Sequence, residues 1–202
     1  MKRIILLSVF LFALQAEAQV TVKPGVRAGL NLASVTNMDA DIKPDFYIGG
    51  FVGIKLASFY TLQPEISYSR QGANSARFYD PYVIPGPYVT EKDYELQYVS
   101  LAVMNKFTFA ESFYGIVGPS LDFKVSDNFN AEEDDDAFGV DFALNGGIGY
   151  TLPMGLSIEA RYKLGLVDVF GDIYNDDYYY EDDNYDNIKL NSVLQIGVAY
   201  TF

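Results

Sequence analysis

The stretch that decides the fold is QIGVAYTF, residues Gln195–Phe202, at the end of the chain. Its apolar side chains recur at every second position, which is the pattern of a β-strand with two different faces. Terminal residues of water-soluble domains usually fray. A strongly apolar last strand therefore favours a membrane barrel, in which the final strand closes the cylinder and turns one face to lipid. An ordinary amphipathic strand in a soluble protein is the alternative.

The same alternation appears in seven runs upstream, and apolar residues do not recur at helical spacing over any long stretch. We predict that each run is one strand of a single sheet. The predicted strands are Val26–Leu32, Phe46–Leu56, Leu62–Tyr68, Tyr94–Phe109, Phe113–Val125, Gly139–Leu152 and Ile158–Leu164, followed by the strand that ends at Phe202.

The links between these strands alternate between long and short. Long loops are predicted at Ser34–Asp45, Gln71–Asp93, Ser126–Phe138 and Asp168–Asn187, and short links at Ala57-Ser58, Ala110-Glu111-Ser112 and Pro153-Met154-Gly155. An even strand number, both termini on the side of the short turns and long loops on the other side are typical of outer-membrane barrels. A soluble lipocalin-like barrel would have the same strand count but would bury its apolar face.

The small or polar face of the strands favours the membrane barrel. It carries glycines that suit the narrow interior of an eight-stranded cylinder, together with charges such as Glu65 and Lys106, which we expect to meet across adjacent strands. We therefore predict an all-β fold, an eight-stranded antiparallel up-and-down transmembrane β-barrel. Pro64 and Pro119 each remove a ladder hydrogen bond, so a bulge or a strand limit is expected at each. The glycines are Gly29, Gly49, Gly53, Gly118, Gly147, Gly149, Gly165 and Gly197.

The N-terminus predicts export. A basic Met1-Lys2-Arg3, an apolar run from Ile4 to Leu14 and an Ala16-Glu17-Ala18 cleavage pattern indicate a secretory signal peptide over residues 1–18. The apolar run is too short to span a bilayer as a helix. Residues 19–202 then form the barrel domain in the outer membrane. The chain has no Cys, so no disulfide framework is expected, and a net charge of −13 argues against nucleic acid as a partner.

Two strands carry a family resemblance. The stretch Leu62–Gly72, LQPEISYSRQG, resembles the L-x-P-E-L-x-Y-x-x-x-G strand of PorT-family outer-membrane beta-barrel domains. The stretch Tyr98–Phe107 is similar to that family's Y-L-x-I-P-L-L-x-K strand, with Ala102 in place of the usual Pro. The resemblance extends over residues 20–202 and implies an eight-stranded barrel like OmpX or OmpA. The secretion role of the family's named member does not transfer to this chain.

Composition argues against an enzyme. The chain has no His and no Cys, so a Ser triad and a Cys nucleophile lack their general base or their nucleophile. We predict no catalytic residues, no cofactor-binding residues, no metal ligands and no cofactor. The inward carboxylates are explained better as ion-pair partners than as paired catalytic acids, because buried charges are costly unless they are paired. The carboxylates are Glu65, Asp122, Asp141 and Glu159, and the expected cationic partners are Arg27, Lys55, Lys106, Lys124, Arg161 and Lys163.

The two acidic loops are the remaining candidates for a binding role. Their carboxylates lack the spaced pattern of a calcium loop, and a solvated acidic surface is the simpler reading. Tyrosines in the last loop supply contact area of the kind found in binding loops. The acidic residues are Asp127, Glu132, Glu133, Asp134, Asp135, Asp136, Asp168, Asp172, Asp176, Asp177, Glu181, Asp182, Asp183 and Asp186, and the tyrosines are Tyr174, Tyr178, Tyr179, Tyr180 and Tyr185.

The predicted function is a non-enzymatic outer-membrane barrel with a structural or surface-interaction role. The alternative is a narrow pore or a carrier of small solutes. The expected partners are outer-membrane lipid and lipopolysaccharide, with divalent cations bridging to the acidic loops, and the barrel assembly machinery, which would bind the C-terminal strand. A protein or glycan at the cell surface is a further candidate. We expect a monomer.

Overall fold

The computed structural model describes residues 20–80, 88–128, 139–168 and 189–202, and the side chains of residues 78–80, 88–90 and 168 lie outside this description. Each strand pairs antiparallel with the next and the last pairs with the first, so the sheet is a closed barrel. The predicted all-β, eight-stranded fold is confirmed. The strands are Thr21–Val35 (β1), Asp41–Lys55 (β2), Tyr60–Asp80 (β3), Tyr88–Phe109 (β4), Phe113–Asp127 (β5), Val140–Thr151 (β6), Leu156–Asp168 (β7) and Leu190–Thr201 (β8).

The last strand closes the barrel, as its sequence predicts. β8 pairs with β1 from Gly25 opposite Thr201 to Val35 opposite Asn191. Gly29 and Gly197 face each other in this register. A Cβ on Gly197 would overlap the backbone of β1, at the carbonyl oxygen of Ala28 and at the Cα of Gly29. The seam between the first and last strands therefore requires glycine where the two backbones come closest.

The apolar face of the strands points outward. Ile196 and Phe202 are 49% and 63% exposed, and the same is seen on every other strand. A soluble barrel would bury this face. The exposed band of apolar side chains, which we name the lipid belt, therefore indicates a surface that faces lipid. Aromatic pairs mark its two edges, Tyr60–Phe107, Phe113–Tyr150 and Tyr200–Phe202 near the short turns and Phe46–Tyr68 near the opposite end.

Strand length fits a bilayer. β6 and β8 have 12 residues each. At about 3.3 Å per residue, a strand of this length tilted by roughly 40° spans about 30 Å along the barrel axis, which is the thickness of the hydrocarbon core. The described residues contain no helix that is long and apolar enough to cross a membrane.

The three predicted short links are confirmed. They lie at the same end as the start of β1 and the end of β8, which we name the turn end; the opposite end is the loop end. The link after β6 is a tight turn, in which Met154 and Gly155 have φ angles of 81° and 84°. Gly155 also accepts a backbone hydrogen bond from Thr201 at 3.0 Å. The turn is thereby fixed against the closing strand.

Two of the predicted loops are wrong in their extent. β3 continues to Asp80 and β4 begins at Tyr88, so most of the predicted loop Gln71–Asp93 is a strand pair. β1 and β2 likewise extend into the predicted loop Ser34–Asp45. Beyond the lipid belt, a hairpin needs no alternation of apolar residues, and this removes the signal on which the prediction relied. The predicted signal peptide 1–18 lies outside the described residues, as do most of the loops 126–138 and 168–187.

The bulge or strand limit expected at Pro64 and Pro119 is also wrong. Both prolines lie inside strands, Pro64 opposite Val103 and Pro119 opposite Leu144. The β2–β3 register is the same on the two sides of Pro64. Neighbouring pairs hold the strand in place although proline supplies no N–H. The register shifts lie nearer the loop end, at Ile42/Tyr47, Ala73/Ala76, Gln97/Tyr98 and Leu164/Asp168.

Candidate functional site

The interior of the described barrel contains a group of buried charged side chains. Arg27, Glu65, Glu159 and Arg161 face inward from the middle of their strands, and each is at most 6% exposed. Long charged side chains are rarely buried to this degree unless they are paired. Their arrangement therefore shows how the interior is filled.

These four side chains form a closed circuit of alternating charge, which we name the central ring. Arg161 Nη1 donates to both carboxylate oxygens of Glu65 at 3.0 and 2.9 Å, and Arg27 Nη1 donates to Glu65 Oε2 at 2.8 Å. Arg161 Nη2 lies 2.8 Å from Glu159 Oε2. Arg27 Nε lies 3.9 Å from the same oxygen and closes the circuit. Two positive and two negative charges balance within the ring.

The central ring crosses the lumen. Its members belong to β1, β3 and β7, no two of which are neighbours in the sheet. Contacts between such strands must pass through the middle of the barrel. An eight-stranded cylinder holds little more than its own side chains, so a ring that reaches from β3 to β7 occupies much of the cross-section of the lumen.

Neutral side chains complete the coordination of the ring. Tyr114 donates its hydroxyl hydrogen to Glu159 Oε1 at 2.6 Å, and Gln63 Nε2 donates to Glu65 Oε1 at 2.8 Å. The Arg27 guanidinium lies 4.6 Å from the centroid of the Tyr47 ring. Buried charges that keep several hydrogen bonds recover much of their desolvation energy. Four buried atoms of the ring, Arg27 Nε, Arg161 Nε, Arg161 Nη2 and Glu159 Oε2, have no hydrogen-bond partner among the described residues, so part of the desolvation cost stays uncompensated.

A ladder of amides and hydroxyls continues from the ring toward the loop end. Gln195 accepts from Arg27 Nη2 at 3.2 Å and donates to Asn31 Oδ1 at 2.9 Å. Asn31 donates to Ser69 Oγ at 2.9 Å, Gln71 donates to the same oxygen at 2.8 Å, and Asn191 donates to Gln71. The part of the lumen between the central ring and the loop end, which we name the upper lumen, is thus filled by connected polar side chains on β1, β3 and β8.

A second ionic group fills the opposite wall of the upper lumen. Lys163 pairs with Asp122 and donates to Ser100 Oγ at 3.2 Å. Asp141 faces Asp122 in the β5–β6 register and accepts a hydrogen bond from the backbone N–H of Val167 at 3.2 Å. This group joins β4, β5, β6 and β7.

The predicted pairing of interior charges is partly confirmed. Glu65, Glu159 and Asp122 pair as expected with inward cations of the predicted set. The predicted contact between Glu65 and Lys106 is wrong, because Glu65 lies opposite Ala102 and Lys106 lies opposite Thr61. This offset of four residues is about 13 Å along the strand. Lys106 Nζ lies instead 3.6 Å from the centroid of the Tyr114 ring.

A cavity of about 340 Å³ opens at the turn end, below the central ring. Three of its lining residues are the lysines Lys23, Lys55 and Lys106, and none of the described residues that line it is acidic. The cations predicted to form ion pairs included Lys55 and Lys106 but not Lys23. The remaining lining residues are Thr21, Phe51, Gly53, Thr61, Gln63 and Thr201.

At the loop end, the long β3–β4 pair extends beyond the lipid belt and is braced by its neighbours. The guanidinium of Arg77 contacts three carboxylates. Its Nη1 lies 3.1 Å from Asp39 Oδ1, its Nη2 lies 3.3 Å from Asp41 Oδ2, and its Nε lies 3.6 Å from Glu91 Oε1. The hydrogen bond with Asp39 and the nearby Asp41 carboxylate raise the pKa of Arg77 above its ordinary value. Asn128, just after β5, donates to the backbone oxygen of Asp93 at 2.7 Å. We name residues 74–93 the β3–β4 projection.

Within the described ranges, no three or more acidic side chains are arranged to hold a metal ion. Most of the acidic residues that raised this question in the sequence lie in 129–138 and 169–188, outside those ranges. The calcium hypothesis for these loops stays a prediction.

Comparison with known proteins places the chain in a family. Residues 4–202 match the model of the outer membrane protein beta-barrel domain. The chain belongs to this family, and its barrel is an outer-membrane barrel. No curated protein sequence matches it.

Three solved structures are similar to this chain. Neisserial surface protein A is similar with a TM-score of 0.51 and 14% identity, over 90% of this chain and 97% of that chain. Ail of Yersinia pestis, in complex with the heparin analogue sucrose octasulfate, has a TM-score of 0.47 and 13% identity, over 90% and 99%. OprG of Pseudomonas aeruginosa has a TM-score of 0.45 and 11% identity, over 91% and 97%. At 14% identity the likeness to Neisserial surface protein A extends to the fold alone.

Proposed function

We propose that this protein is a non-enzymatic outer-membrane barrel with a closed lumen, which acts at the cell surface through its loop end. The observation that carries the proposal is the central ring, in which buried side chains from three non-adjacent strands meet across the lumen. A barrel filled in this way has little capacity for conduction. What it offers to other molecules is its two ends.

The loop end is the larger of the two ends, because two of its strands extend furthest. β3 and β4 have 21 and 22 residues, against 12 in β6 and β8. The extra length is braced by Arg77 and Asn128, so the described parts of the projection, residues 74–80 and 88–93, extend the barrel wall as a strand pair. Short turns of such barrels face the periplasm and long loops face the exterior. This orientation presents the projection, together with the acidic and Tyr-rich loops 126–138 and 168–187, to the cell surface.

The partners that suit this surface are a protein or a glycan outside the cell and the lipopolysaccharide around the barrel. Carboxylates of the loops would reach the anionic lipopolysaccharide through bridging divalent cations. The assembly machinery would recognise the exposed C-terminal strand. The signal peptide at residues 1–18 and the link to PorT-family barrels are further predictions from the sequence, and the barrel is expected to act as a monomer.

The absence of His and Cys from the sequence supports a non-enzymatic role. The ordinary general base and the thiol nucleophile are both missing. Inside the barrel, the carboxylates Glu65 and Glu159 are engaged by two arginines, which leaves neither as a poised acid or base.

The proposal is tested by exchanging the loop end while the barrel is kept. In one variant a short Gly-Asn turn replaces residues 170–186, and in a matched variant the same turn replaces residues 130–137. Intact cells that carry the wild type or either variant are assayed for binding to arrayed glycans and immobilised proteins. We expect at least one variant to lose binding that the wild type shows, with equal amounts of heat-modifiable barrel.

The alternative, a narrow pore or small-solute carrier, predicts a different result. Proteoliposomes containing the wild type would then swell in arabinose faster than empty liposomes, and cells of all three kinds would bind surfaces equally. That pair of results would replace the surface role with transport.

A further inference from the structure

The cavity at the turn end has a one-sided charge. Inside the described barrel, Arg27 and Arg161 balance Glu65 and Glu159, and Lys163 pairs with Asp122. Lys23, Lys55 and Lys106 are left on the wall of the cavity, and its described lining residues include no carboxylate. This local excess of positive charge stands in a chain with a net charge of −13, so it does not follow from overall composition.

The three lysines lie close to one another in the sheet. Lys55 on β2 and Lys106 on β4 are both opposite Thr61 of β3. Lys55 is also opposite Thr21 of β1, and Lys23 follows two residues later on the same strand. Neighbouring strands are roughly 4.8 Å apart, so side chains at these positions converge on one small volume.

These lysines also lack the carboxylate partners that three other lysines of the described chain have. Lys43, Lys124 and Lys163 each form an ion pair with a carboxylate. None of the three lysines of the cavity does so within the described residues, and the Lys106 ammonium contacts the Tyr114 ring. The nearest buried carboxylates, Glu65 and Glu159, are already occupied by the arginines of the central ring.

The remainder of the lining is rich in hydrogen-bond donors. Thr21, Thr61 and Thr201 contribute hydroxyl groups. The volume of about 340 Å³ is at the lower end of the range of ligand pockets, ~300–1,000 Å³. Ammonium and hydroxyl donors around a small volume match an oxyanion with several negative charges better than a neutral solute.

We propose that this cavity is a binding site for a multiply charged, phosphate-bearing anion. The three lysines supply the charge, and the threonines supply neutral hydrogen bonds. Because the short turns of outer-membrane barrels face the periplasm, the anion is a periplasmic phosphate compound or the phosphate headgroup of an inner-leaflet lipid. The site is independent of the surface role proposed for the loop end.

The test uses the full barrel in zwitterionic micelles and phosphate-free buffer, titrated with inorganic pyrophosphate in a calorimeter. Wild type is expected to bind pyrophosphate saturably, and more weakly as salt is added. Lys55→Gln and Lys106→Gln are each expected to weaken binding by about tenfold, the loss of one charge-assisted contact. Lys124→Gln, at the loop end where Lys124 pairs with Asp127, is the matched control and is expected to bind as wild type does.

Absence of saturable binding by the wild type would overturn the proposal, and so would equal binding by the wild type and both cavity variants. Heat-modifiable migration shows that each variant is folded. Lys55 is exposed at the barrel mouth, so its variant decides the result even if Lys106→Gln fails to fold.

The two sources of phosphate are separated in nanodiscs. If cardiolipin, whose headgroup carries two phosphates, abolishes in the disc the pyrophosphate binding that is present in pure phosphatidylcholine, the site holds a lipid headgroup. If binding is the same in both discs, the site holds a soluble phosphate compound.

Discussion

Arg161 on β7 donates two hydrogen bonds to Glu65 on β3, across the lumen and between residues 96 positions apart in the sequence. β7 and β3 are not neighbours in the sheet. The pair therefore ties together two walls of the barrel that no backbone hydrogen bond connects.

Removal of Arg161 should destabilise the barrel strongly. In Arg161→Met, Glu65 and Glu159 each lose a cationic partner while remaining buried. Loss of one member of a buried ion pair usually costs about 3–5 kcal/mol, and we expect a decrease of that order in the free energy of unfolding. The measurement is urea unfolding of the barrel in lipid vesicles.

The double variant Glu65→Gln, Arg161→Gln serves as the comparison for that effect. It removes both charges. Its loss of unfolding free energy should be smaller than the summed losses of the single variants Glu65→Gln and Arg161→Gln, because the residues are in direct contact. Additive effects would mean that the two side chains do not interact across the lumen.

The seam of the barrel should be sensitive to a single methyl group. Gly197→Ala places a Cβ against the backbone of β1, and overpacking of this kind costs about 1–3 kcal/mol. Gly146→Ala is the matched control, because a Cβ there meets nothing within 4 Å. The free energy of unfolding in urea and the yield of refolding should both decrease for Gly197→Ala only. Equal values for the two variants would contradict the close contact of β1 with β8.

Deletion of Phe202 should impair insertion into the outer membrane more than it alters the folded barrel. Its side chain is 63% exposed, and its backbone N–H donates to Pro24 at 3.0 Å, so few contacts of the barrel depend on it. We expect less heat-modifiable barrel in cells but unchanged unfolding of the fraction that is refolded in vitro. Normal amounts in the outer membrane would remove the role of Phe202 as a recognition signal.

The brace at the loop end gives a further prediction. Arg77→Ala removes the contacts to Asp39, Asp41 and Glu91 and should loosen the β3–β4 projection. Trypsin cleavage after Lys92 should then be faster in proteoliposomes, whereas urea unfolding of the barrel should change little. Arg161→Met is the reverse case, with a weakened barrel and an intact brace. Unchanged cleavage in Arg77→Ala would show that the projection is held by other contacts.

The period of two was enough to predict the strand number and the closing strand. The outward face was predicted from the glycines and charges of the small or polar face, because a narrow lumen admits small or paired side chains. The pairing of Glu65 was not predictable in this way. Its partners follow from the stagger of the strands around the cylinder and from long side chains that reach across it, which the sequence of one strand does not encode.

The extra length of β3 and β4 and the cavity at the turn end escaped prediction for different reasons. Beyond the lipid belt both faces of a hairpin are solvated, so Gln71–Asp93 shows no alternation although much of it is strand. Lys23, Lys55 and Lys106 lie on three different strands, β1, β2 and β4, and only the pairing of the strands brings them to one cavity.

The closed lumen is tested most directly by recording current through the wild-type barrel in planar bilayers, with folding checked by heat-modifiable migration. The variant Glu65→Ala, Arg161→Ala removes two of the four side chains of the central ring and should raise the current. For the wild type we predict no steady conductance above that of the protein-free bilayer. A steady, reproducible conductance of the folded wild type would contradict a lumen closed by Arg27, Glu65, Glu159 and Arg161.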